Sequence, residues 1–380
     1  MVILLRDAYE GGMTRSLSSS RSRPRVAIIG SGVIGLSCAW FLARDGARVT
    51  MFDAGEPGRG ASWAAAGMIA PAFETAIARD VHPDLLELCI ASAKLWPIFA
   101  ADLEAATGRP VGYVPGPSLA VSADAESADK LELLATTLGQ TDLSFRALST
   151  ARAREIEPAL STQLSGVLQL FSDGHVDNRL LVTALIDAVQ NCDRVEGIVS
   201  KKISDPDALG RDYDYVLITA GWQSADLFDG ITGPHPVGGQ LLSLPQTERR
   251  LTTTIRCSDM YIAPKQDRII VGASVEPGKV SRETNPEIMA DLQARAVHIC
   301  PSLDGLPMLE NWAGVRPAMP DHAPVIGRMG QGTVFVATGH YRNGILLSPK
   351  TAELVSGMIL GNNFPPLAQN FTPDRYRIGV

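Results

Sequence analysis

The sequence lacks the features of several protein classes. Its five cysteines are an odd number and none forms a Cys-x-x-Cys pair, which argues against a structural zinc site or a disulfide framework and favours a reducing compartment such as the cytoplasm. The formal net charge is −7 and no long segment concentrates Lys and Arg, which argues against nucleic acid as a main partner. The six histidines do not have the spacing of a metal site or a catalytic triad, so we predict no bound metal ion.

One uncharged run approaches the length of a membrane span. The run covers Val26–Ala43, but Gly30-Ser31-Gly32 interrupts it early, which is typical of a strand that turns into a helix. We therefore predict no membrane span. Residues 1–24 are rich in Arg and Ser and poor in acids, as in a transit peptide, and we interpret them as a disordered tail, with a true start at Met13 as the alternative.

The apolar runs predict two kinds of sheet. Hydrophobic residues make up 45% of the chain and charged residues 20%, which is sufficient for a sizeable core. Continuous apolar runs predict buried parallel strands at Arg25–Ile29, Val49–Phe52, Tyr215–Thr219 and Thr333–Thr338. Short runs split by Pro, Asp and Gly over Val237–Val275 predict antiparallel strands. The expected fold is α/β, α+β overall, with a Rossmann-type nucleotide-binding domain and an interleaved antiparallel-sheet substrate domain.

The predicted boundaries follow this alternation along the chain. The nucleotide-binding domain takes 25–84, 165–235 and 311–365, the substrate domain takes 85–164 and 236–310, and 366–380 form a C-terminal extension. Asn178 is predicted to cap the helix Leu180–Val189. Pro97 is predicted to bend or end the helical pattern around it.

A glycine-rich turn predicts where a nucleotide binds. The six residues from Gly30 to Gly35 match G-x-G-x-x-G between the first strand and its helix. Gly30 permits the turn, Gly32 lets the backbone approach a pyrophosphate, and Gly35 allows close helix–strand packing. A carboxylate at the end of the second strand can accept both ribose hydroxyls, although this pattern does not separate FAD from NAD. The predicted contacts are Gly30, Gly32, Val33, Ile34, Gly35, Asp53 and Ala54.

Three further segments resemble the D-amino-acid oxidase superfamily of flavoproteins, in particular the bacterial glycine oxidases. They read GASWAAAGM at 60–68, NWAGVRP at 311–317 (followed by PVIG at 324–327), and GHYRNGILL at 339–347. The resemblance covers the chain from about Arg25 to about Gly361. It implies FAD as cofactor and removal of a hydride from the α-carbon of a small amino acid, with glycine favoured over sarcosine and small D-amino acids. Oxygen would be reduced to hydrogen peroxide, and the imine would hydrolyse to a keto acid and ammonia or supply thiamine thiazole synthesis.

The resemblance also assigns single residues. Arg316 is implied to hold the substrate carboxylate, because its planar fork suits two parallel hydrogen bonds. Arg342 is implied to be a second arginine of the site, and Tyr261 a substrate-site tyrosine on the antiparallel sheet. No side-chain base is required. The implied flavin contacts are Ser62, Ala66, Gly67, Met68, Ile198, Gly339, His340, Tyr341, Arg342, Asn343, Gly344, Ile345 and Leu346.

Other functions stay open at this point. A sarcosine-oxidase-like N-demethylase and a D-amino-acid dehydrogenase with an acceptor other than oxygen are the nearest alternatives. A non-catalytic flavin-binding subunit would be expected to lack Arg316, and a nicotinamide dehydrogenase would not be yellow when purified. We expect a homo-oligomer that binds a small amino acid and oxygen.

The FAD is predicted to be noncovalent. Many sarcosine oxidases attach flavin through a cysteine near the C-terminal flavin loop, whereas the last cysteine here is Cys300, ahead of Trp312. Acid precipitation should therefore release the yellow colour into the supernatant. Colour that stays with the protein pellet would contradict the prediction.

Overall fold

The computed structural model describes residues 23–71, 73, 81–227, 232–246, 251–258, 260–361 and 365–376, so nearly all of the predicted N-terminal tail lies outside the described residues. The strands are β1 (Arg25–Ile29), β2 (Arg48–Asp53), β3 (Met68–Ile69), β4 (Ser118–Ser122), β5 (Phe145–Leu148), β6 (Gly166–Leu170), β7 (Gly174–His175), β8 (Val195–Ser200), β9 (Tyr215–Ile218), β10 (His235–Pro245), β11 (Ile255–Cys257), β12 (Met260–Pro264), β13 (Arg268–Gly272), β14 (Glu276–Pro277), β15 (Glu310–Ala318), β16 (Val325–Arg328) and β17 (Val334–Thr338). The α-helices are α1 (Val33–Arg44), α2 (Ala61–Ala64), α3 (Leu85–Thr107), α4 (Ala125–Leu138), α5 (Thr150–Ile156), α6 (Asn178–Gln190), α7 (Pro286–Ile299), α8 (Gly344–Leu360) and α9 (Pro366–Gln369).

The first sheet has the order β16-β17-β9-β1-β2-β8, and all its neighbours run parallel except β16 and β17. Alternate residues of β1 face opposite sides of the sheet. Val26 and Ile28 pack into the cluster that contains α1, α3, α6 and α8, while Ala27 and Ile29 pack into a smaller cluster on the other face. A parallel sheet that is covered on both faces is the predicted Rossmann-type architecture.

The second sheet has the order β14-β10-β13-β12-β11-β4-β6-β5, with β15 also paired to β10. Its pairs are antiparallel except β11 with β4. The predicted fold class, a nucleotide-binding sheet interleaved with an antiparallel sheet, is confirmed. None of the helices in the described ranges has both the length and the apolar composition needed to cross a bilayer.

Three segments pack with a different sheet from the one to which the predicted domain boundaries assign them. Helix α3 packs against α8 and α6 of the nucleotide side, where Ser92 Oγ and Trp96 Nε1 both donate to the carbonyl oxygen of Leu346, at 2.6 and 2.9 Å. Strands β6 and β15 belong to the antiparallel sheet, because they pair along their whole length with β4 and β10. Chain order alone did not reveal these long-range pairings.

The structure corrects the predicted helix cap and shows that Pro97 lies inside a continuous helix. Asp177, one residue before the predicted cap Asn178, caps α6 by accepting hydrogen bonds from the backbone N–H groups of Arg179 and Leu180. The Asn178 amide donates instead to backbone carbonyl oxygens of α2. Pro97 neither ends α3 nor sits on its packed face, since it is exposed while Trp96 beside it is fully buried.

The C-terminal segment returns to the core instead of extending from it. Phe371 is completely buried in the main cluster, and its carbonyl oxygen accepts a hydrogen bond of 2.7 Å from the backbone N–H of Ile326 in β16. The described part of the predicted extension is therefore a packed element of the nucleotide side.

This packing leads to a stability prediction. Phe371→Ala should lower the free energy of unfolding by about 3–5 kcal/mol, because it removes a fully buried ring and leaves a cavity. Phe171→Ala is the matched control, since that ring is 40% exposed and its loss should cost less than about 1 kcal/mol. Denaturant unfolding of both variants measures the difference. Equal losses would mean that the C-terminal segment does not contribute to the stability of the core.

Candidate active site

A cleft of about 470 Å³ is lined by residues of both sheets. Its nucleotide end is formed by the turn after β1, the end of β2 and the residues that follow β8 and β9. Its other end is formed by β10, β12, β15 and the loop before α8. A cleft at the carboxyl ends of parallel strands is the usual ligand site of an open α/β sheet.

The turn after β1 has no room for side chains at its first and last glycines. Gly30 has φ +105°, and a Cβ there would lie 2.6 Å from the carbonyl oxygen of Thr219. A Cβ on Gly35 would lie 2.1 Å from the carbonyl oxygen of Gly30. Gly35 therefore holds α1 against the turn from behind and does not itself line the cleft.

The N-terminus of α1 opens into the cleft. Gly32 precedes the helix and offers no side chain to cap it. The backbone N–H of Val33 donates to Ser62 Oγ at 2.9 Å, and all three residues line the cleft. Free N–H groups and the helix dipole make such a position favourable for phosphate oxygens.

Asp53 is held in a fixed orientation at the end of β2. Its Oδ2 accepts from the backbone N–H and the hydroxyl of Ser31, at 2.7 and 2.6 Å, and its Oδ1 accepts from the N–H of Gly55 at 2.8 Å. Asp53 and Ala54 both line the cleft. Because each carboxylate oxygen can accept about two hydrogen bonds and Oδ1 accepts only the one from Gly55, the group retains capacity there for a ribose hydroxyl.

The contact predicted for the adenine end, Ile198, lies just before the residues of this segment that line the cleft. Ile198 lies inside β8, paired with Met51, and does not line the cleft. Lys201, Lys202 and Ile203 follow the strand end and do line it. Residues directly after a parallel strand are where ligands of such sheets usually bind, so these three are the better placed of the candidates, and the contact itself stays a prediction.

The small residues of the 64–68 segment let the backbone at Val176 and the backbone at Gly314 pack directly against this segment. A Cβ on Gly67 would lie 2.0 Å from the carbonyl oxygen of Val176, and the N–H of Val176 donates to the carbonyl oxygen of Gly67 at 2.8 Å. On the other side, a Cβ on Gly314 of β15 would lie 2.4 Å from the Cβ of Ala64. The predicted contacts Ala66, Gly67 and Met68 all line the cleft.

Arg316 lies flat on strand β10. A Cβ on Gly239 would lie 2.2 Å from Nη1 of Arg316, so only glycine leaves space for the guanidinium there. Nη1 donates to the carbonyl oxygens of Gly238, at 3.0 Å, and of Ser274, at 3.2 Å. Arg316 lines the cleft together with Tyr261, which is 7% exposed. Gly239 is a site residue that the sequence analysis missed, although a glycine inside a strand signals close approach of another group.

The loop before α8 closes the same end of the cleft. The N–H of Tyr341 donates to the carbonyl oxygen of Pro317 at 2.7 Å, which ties this loop to β15 next to Arg316. Of the residues predicted here, His340, Tyr341, Arg342, Gly344 and Ile345 line the cleft, whereas Gly339, Asn343 and Leu346 lie behind them.

His340 is a neutral residue in this loop. Its side chain is completely enclosed, its Nε2 lies 3.0 Å from Thr351 Oγ1, and burial lowers its pKa to about 3. It therefore carries no charge at neutral pH. The cationic side chains at this end of the described cleft are arginines: Arg282, Arg316 and Arg342.

The lining suits a dinucleotide with a planar ring system. The glycine turn and the N-terminus of α1 can bind a pyrophosphate, Asp53 can bind a ribose, and the backbone at 66–68 can lie against a ring without interference from side chains. The residues present would thus fit FAD.

Comparison with known proteins agrees with this arrangement. The family model described as DAO, FAD dependent oxidoreductase, matches residues 25–358. Glycine oxidase of Geobacillus kaustophilus is 30% identical over 351 residues, which are 88% of this chain and 92% of that protein. The crystal structure of a glycine oxidase from the same species superposes with a TM-score of 0.85 at 31% identity, covering 94% of this chain and all of the other.

A longer relative includes the same region. The bifunctional protein ThiO/ThiG of Trichormus variabilis is 30% identical over 370 residues, which are 93% of this chain. The matched region spans 55% of that protein, so the chain corresponds to about half of its length.

The geometry around Asp53 predicts its effect on cofactor binding. Asp53→Ala should raise the dissociation constant for FAD by about ten-fold or more, because a charge-assisted hydrogen bond contributes about 1.5–3 kcal/mol. Titration of FAD into apoprotein measures the change. Ser31→Ala should have a smaller effect, since it removes one turn contact and keeps the carboxylate, and the exposed Asp102→Ala should have none. An unchanged dissociation constant in Asp53→Ala would remove Asp53 from the ribose site.

Proposed function

The chain belongs to the DAO family of FAD-dependent oxidoreductases and is an FAD-dependent amino-acid oxidase, and we propose that its substrate is a small amino acid, with glycine favoured. The products are an imine, which hydrolyses to a keto acid and ammonia, and hydrogen peroxide. The observation that carries this proposal is the guanidinium of Arg316, which lies on Gly239 in the cleft that also contains the nucleotide turn.

The chain's own residues bind and orient the substrate. When bound, FAD would supply a two-electron acceptor that oxygen could reoxidise. Arg316 is the proposed partner of the substrate carboxylate, since two carbonyl oxygens fix its guanidinium on the strand beneath. A carboxylate held in this way fixes the direction of the α-carbon, which is the main requirement for a substrate of few atoms.

The apolar wall supports a small substrate. Leu241 and Tyr261 both line the cleft and are 3% and 7% exposed, so their side chains are held by packing and form a firm boundary beside Arg316. Arg342 lines the same end and is proposed as the second arginine of the substrate site. The remaining space around the α-carbon is bounded by small residues of the 64–68 segment.

No side-chain base is assigned. His340 is the imidazole that lines the described cleft, and it is uncharged, buried and paired with Thr351. Asp53, at the nucleotide end, is already bound to Ser31 and Gly55. The proposal is therefore that the substrate reacts as its neutral amine and that the protein contributes orientation and electrostatics.

The similarity to glycine oxidases and to ThiO/ThiG supports glycine as substrate and a supply of imine for thiamine thiazole synthesis. A hydrogen peroxide assay across glycine, sarcosine, D-alanine and D-proline tests the substrate. Fastest turnover of sarcosine would favour the N-demethylase, and flavin reduction without peroxide would favour a dehydrogenase. We also propose a cytoplasmic homo-oligomer, and the five free thiols support a reducing compartment.

The role of Arg316 can be tested with two substitutions. Arg316→Ala should lower kcat/KM for glycine by at least about thirty-fold, because removing one partner of a desolvated charge pair costs about 2–5 kcal/mol. Arg316→Lys should fall between this variant and wild type, since it keeps the charge and loses the fork. Reduction of the flavin by glycine under anaerobic conditions measures both.

The control for this test is Arg295→Ala, which removes the same charge from α7 outside the described cleft lining and should leave the rate unchanged. FAD content should stay near the wild-type level in all variants. If Arg316→Ala is reduced at the wild-type rate with the wild-type dependence on glycine, another residue binds the carboxylate, and Arg342 is the first to test.

A further inference from the structure

The orientation of Arg316 depends on two separate segments of chain. Its Nη1 donates to the carbonyl oxygen of Gly238, which belongs to β10, and to that of Ser274, which belongs to the loop between β13 and β14. These two carbonyl oxygens, here called the Arg316 acceptors, both hold Nη1 of the guanidinium. A shift of the loop relative to β10 would move one acceptor away from the other and turn the guanidinium.

Glu276 joins the two segments. One of its carboxylate oxygens, Oε1, accepts from Ser274 Oγ at 2.7 Å and from Gln240 Nε2 at 2.8 Å. Ser274 is on the loop and Gln240 is on β10, so one oxygen atom connects both sides. The backbone of Glu276 is itself paired with Gly238 in the sheet, and its Oε2 accepts from Lys279 Nζ at 2.5 Å.

Further hydrogen bonds connect the same residues directly. The backbone N–H of Gln240 donates to Ser274 Oγ at 2.9 Å, and the N–H of Ser274 donates to the carbonyl oxygen of Gln240 at 3.2 Å. The Oε1 of Gln240 accepts from the N–H of Asn285 at 2.6 Å, which also fixes the end of the following loop. Gln240 is completely buried, so these bonds are shielded from water.

The carboxylate of Glu276 is suited to this role because it is charged and mostly enclosed. Its side chain is 19% exposed. Burial raises the pKa of this carboxyl, but the hydrogen bonds from Lys279, Ser274 and Gln240 outweigh burial and hold the pKa below its usual range. Only the ionised form can accept from all three donors at once. Glu276 does not line the cleft, so any effect on substrate must pass through other residues.

We infer that Glu276 is a positioning residue for the substrate carboxylate, acting by fixing the two Arg316 acceptors relative to each other. The inference rests on the proposed function, because it requires that Arg316 binds the substrate. Glu276 has no part in the electron transfer and no predicted contact with FAD. Removing its carboxylate should therefore change the affinity for the substrate and the orientation of the bound substrate, and should leave the cofactor in place.

The test replaces Glu276 with a residue of the same shape. Glu276→Gln keeps the size of the side chain, but its one remaining oxygen is uncharged and its NH2 group faces a donor on the other side, either Lys279 or the Ser274 and Gln240 pair. The variant should therefore raise KM for glycine by about ten-fold and lower kcat by less than about three-fold. Glu283→Gln is the matched control, since it removes the same charge from the same loop region through an exposed residue outside these hydrogen bonds. The control should keep KM within about two-fold of wild type.

A double-mutant cycle separates a positioning role from a general structural one. If Glu276 acts through Arg316, Glu276→Gln should cause almost no further loss in an Arg316→Ala background. A structural role would add its full effect in both backgrounds, and that result would overturn the inference. FAD content and the thermal midpoint of each variant are measured alongside, and Ser274→Ala, which keeps the Ser274 carbonyl, replaces Glu276→Gln in the cycle if that variant does not fold.

The outcomes distinguish the two proposals. A lower kcat/KM for glycine in Arg316→Ala together with a wild-type KM in Glu276→Gln would overturn the positioning role and leave the proposed function intact. A wild-type response of Arg316→Ala would overturn the substrate role of Arg316 and with it this inference. A KM effect of Glu276→Gln that disappears in the Arg316→Ala background would support both.

Discussion

The close approach of bare backbone at a few positions is the constraint on which the site depends. Gly314 of β15 meets Ala64, Gly67 meets the carbonyl oxygen of Val176, and Gly239 lies under the guanidinium of Arg316. At each position a Cβ would come within 2.4 Å of the neighbouring atom, which is too close for any ordinary contact. The contact of Gly314 with Ala64 brings β15 of the antiparallel sheet against helix α2, so that one cleft can contain both a cofactor site and a substrate site.

The electrostatics of the cleft follow from this arrangement. The N-terminus of α1 faces the nucleotide end, and α8 begins at the other end with Gly344 and Ile345 in the lining. Both helix dipoles therefore favour negative charge in the cleft, as do the arginines at the substrate end. Burial keeps His340 uncharged and removes a possible proton acceptor from the same region. The cleft is thus arranged to attract anions and to orient them.

Sequence analysis was most successful where the signal is local. Strand β1 has the predicted bounds, and the glycines of the turn follow from steric contacts within a few residues and with Thr219. It failed where distant segments decide the result. Helix α3 packs on the nucleotide side through Leu346, about 250 residues away along the chain, and a local pattern cannot reveal such a partner. Ile198 lies inside β8 because the length of that strand is set by its pairing with β2, and the contact predicted there stays a prediction. Gly239 was missed because its reason, the guanidinium of Arg316, comes from another strand.

A small substrate makes the rigidity of the anchor more important than the shape of the pocket. A molecule such as glycine has a single CH2 group of apolar surface, worth about 0.8 kcal/mol when buried, so it cannot be held by apolar contact. Its carboxylate must then provide both the affinity and the orientation of the substrate, and a flexible arginine would not fix the orientation. Arg316 avoids this loss because it lies against Gly239 without an intervening side chain and donates to two carbonyl oxygens. If Arg316 binds the substrate as proposed, the hydrogen bonds of Gln240, Ser274 and Glu276 behind those carbonyls contribute to substrate binding together with the guanidinium.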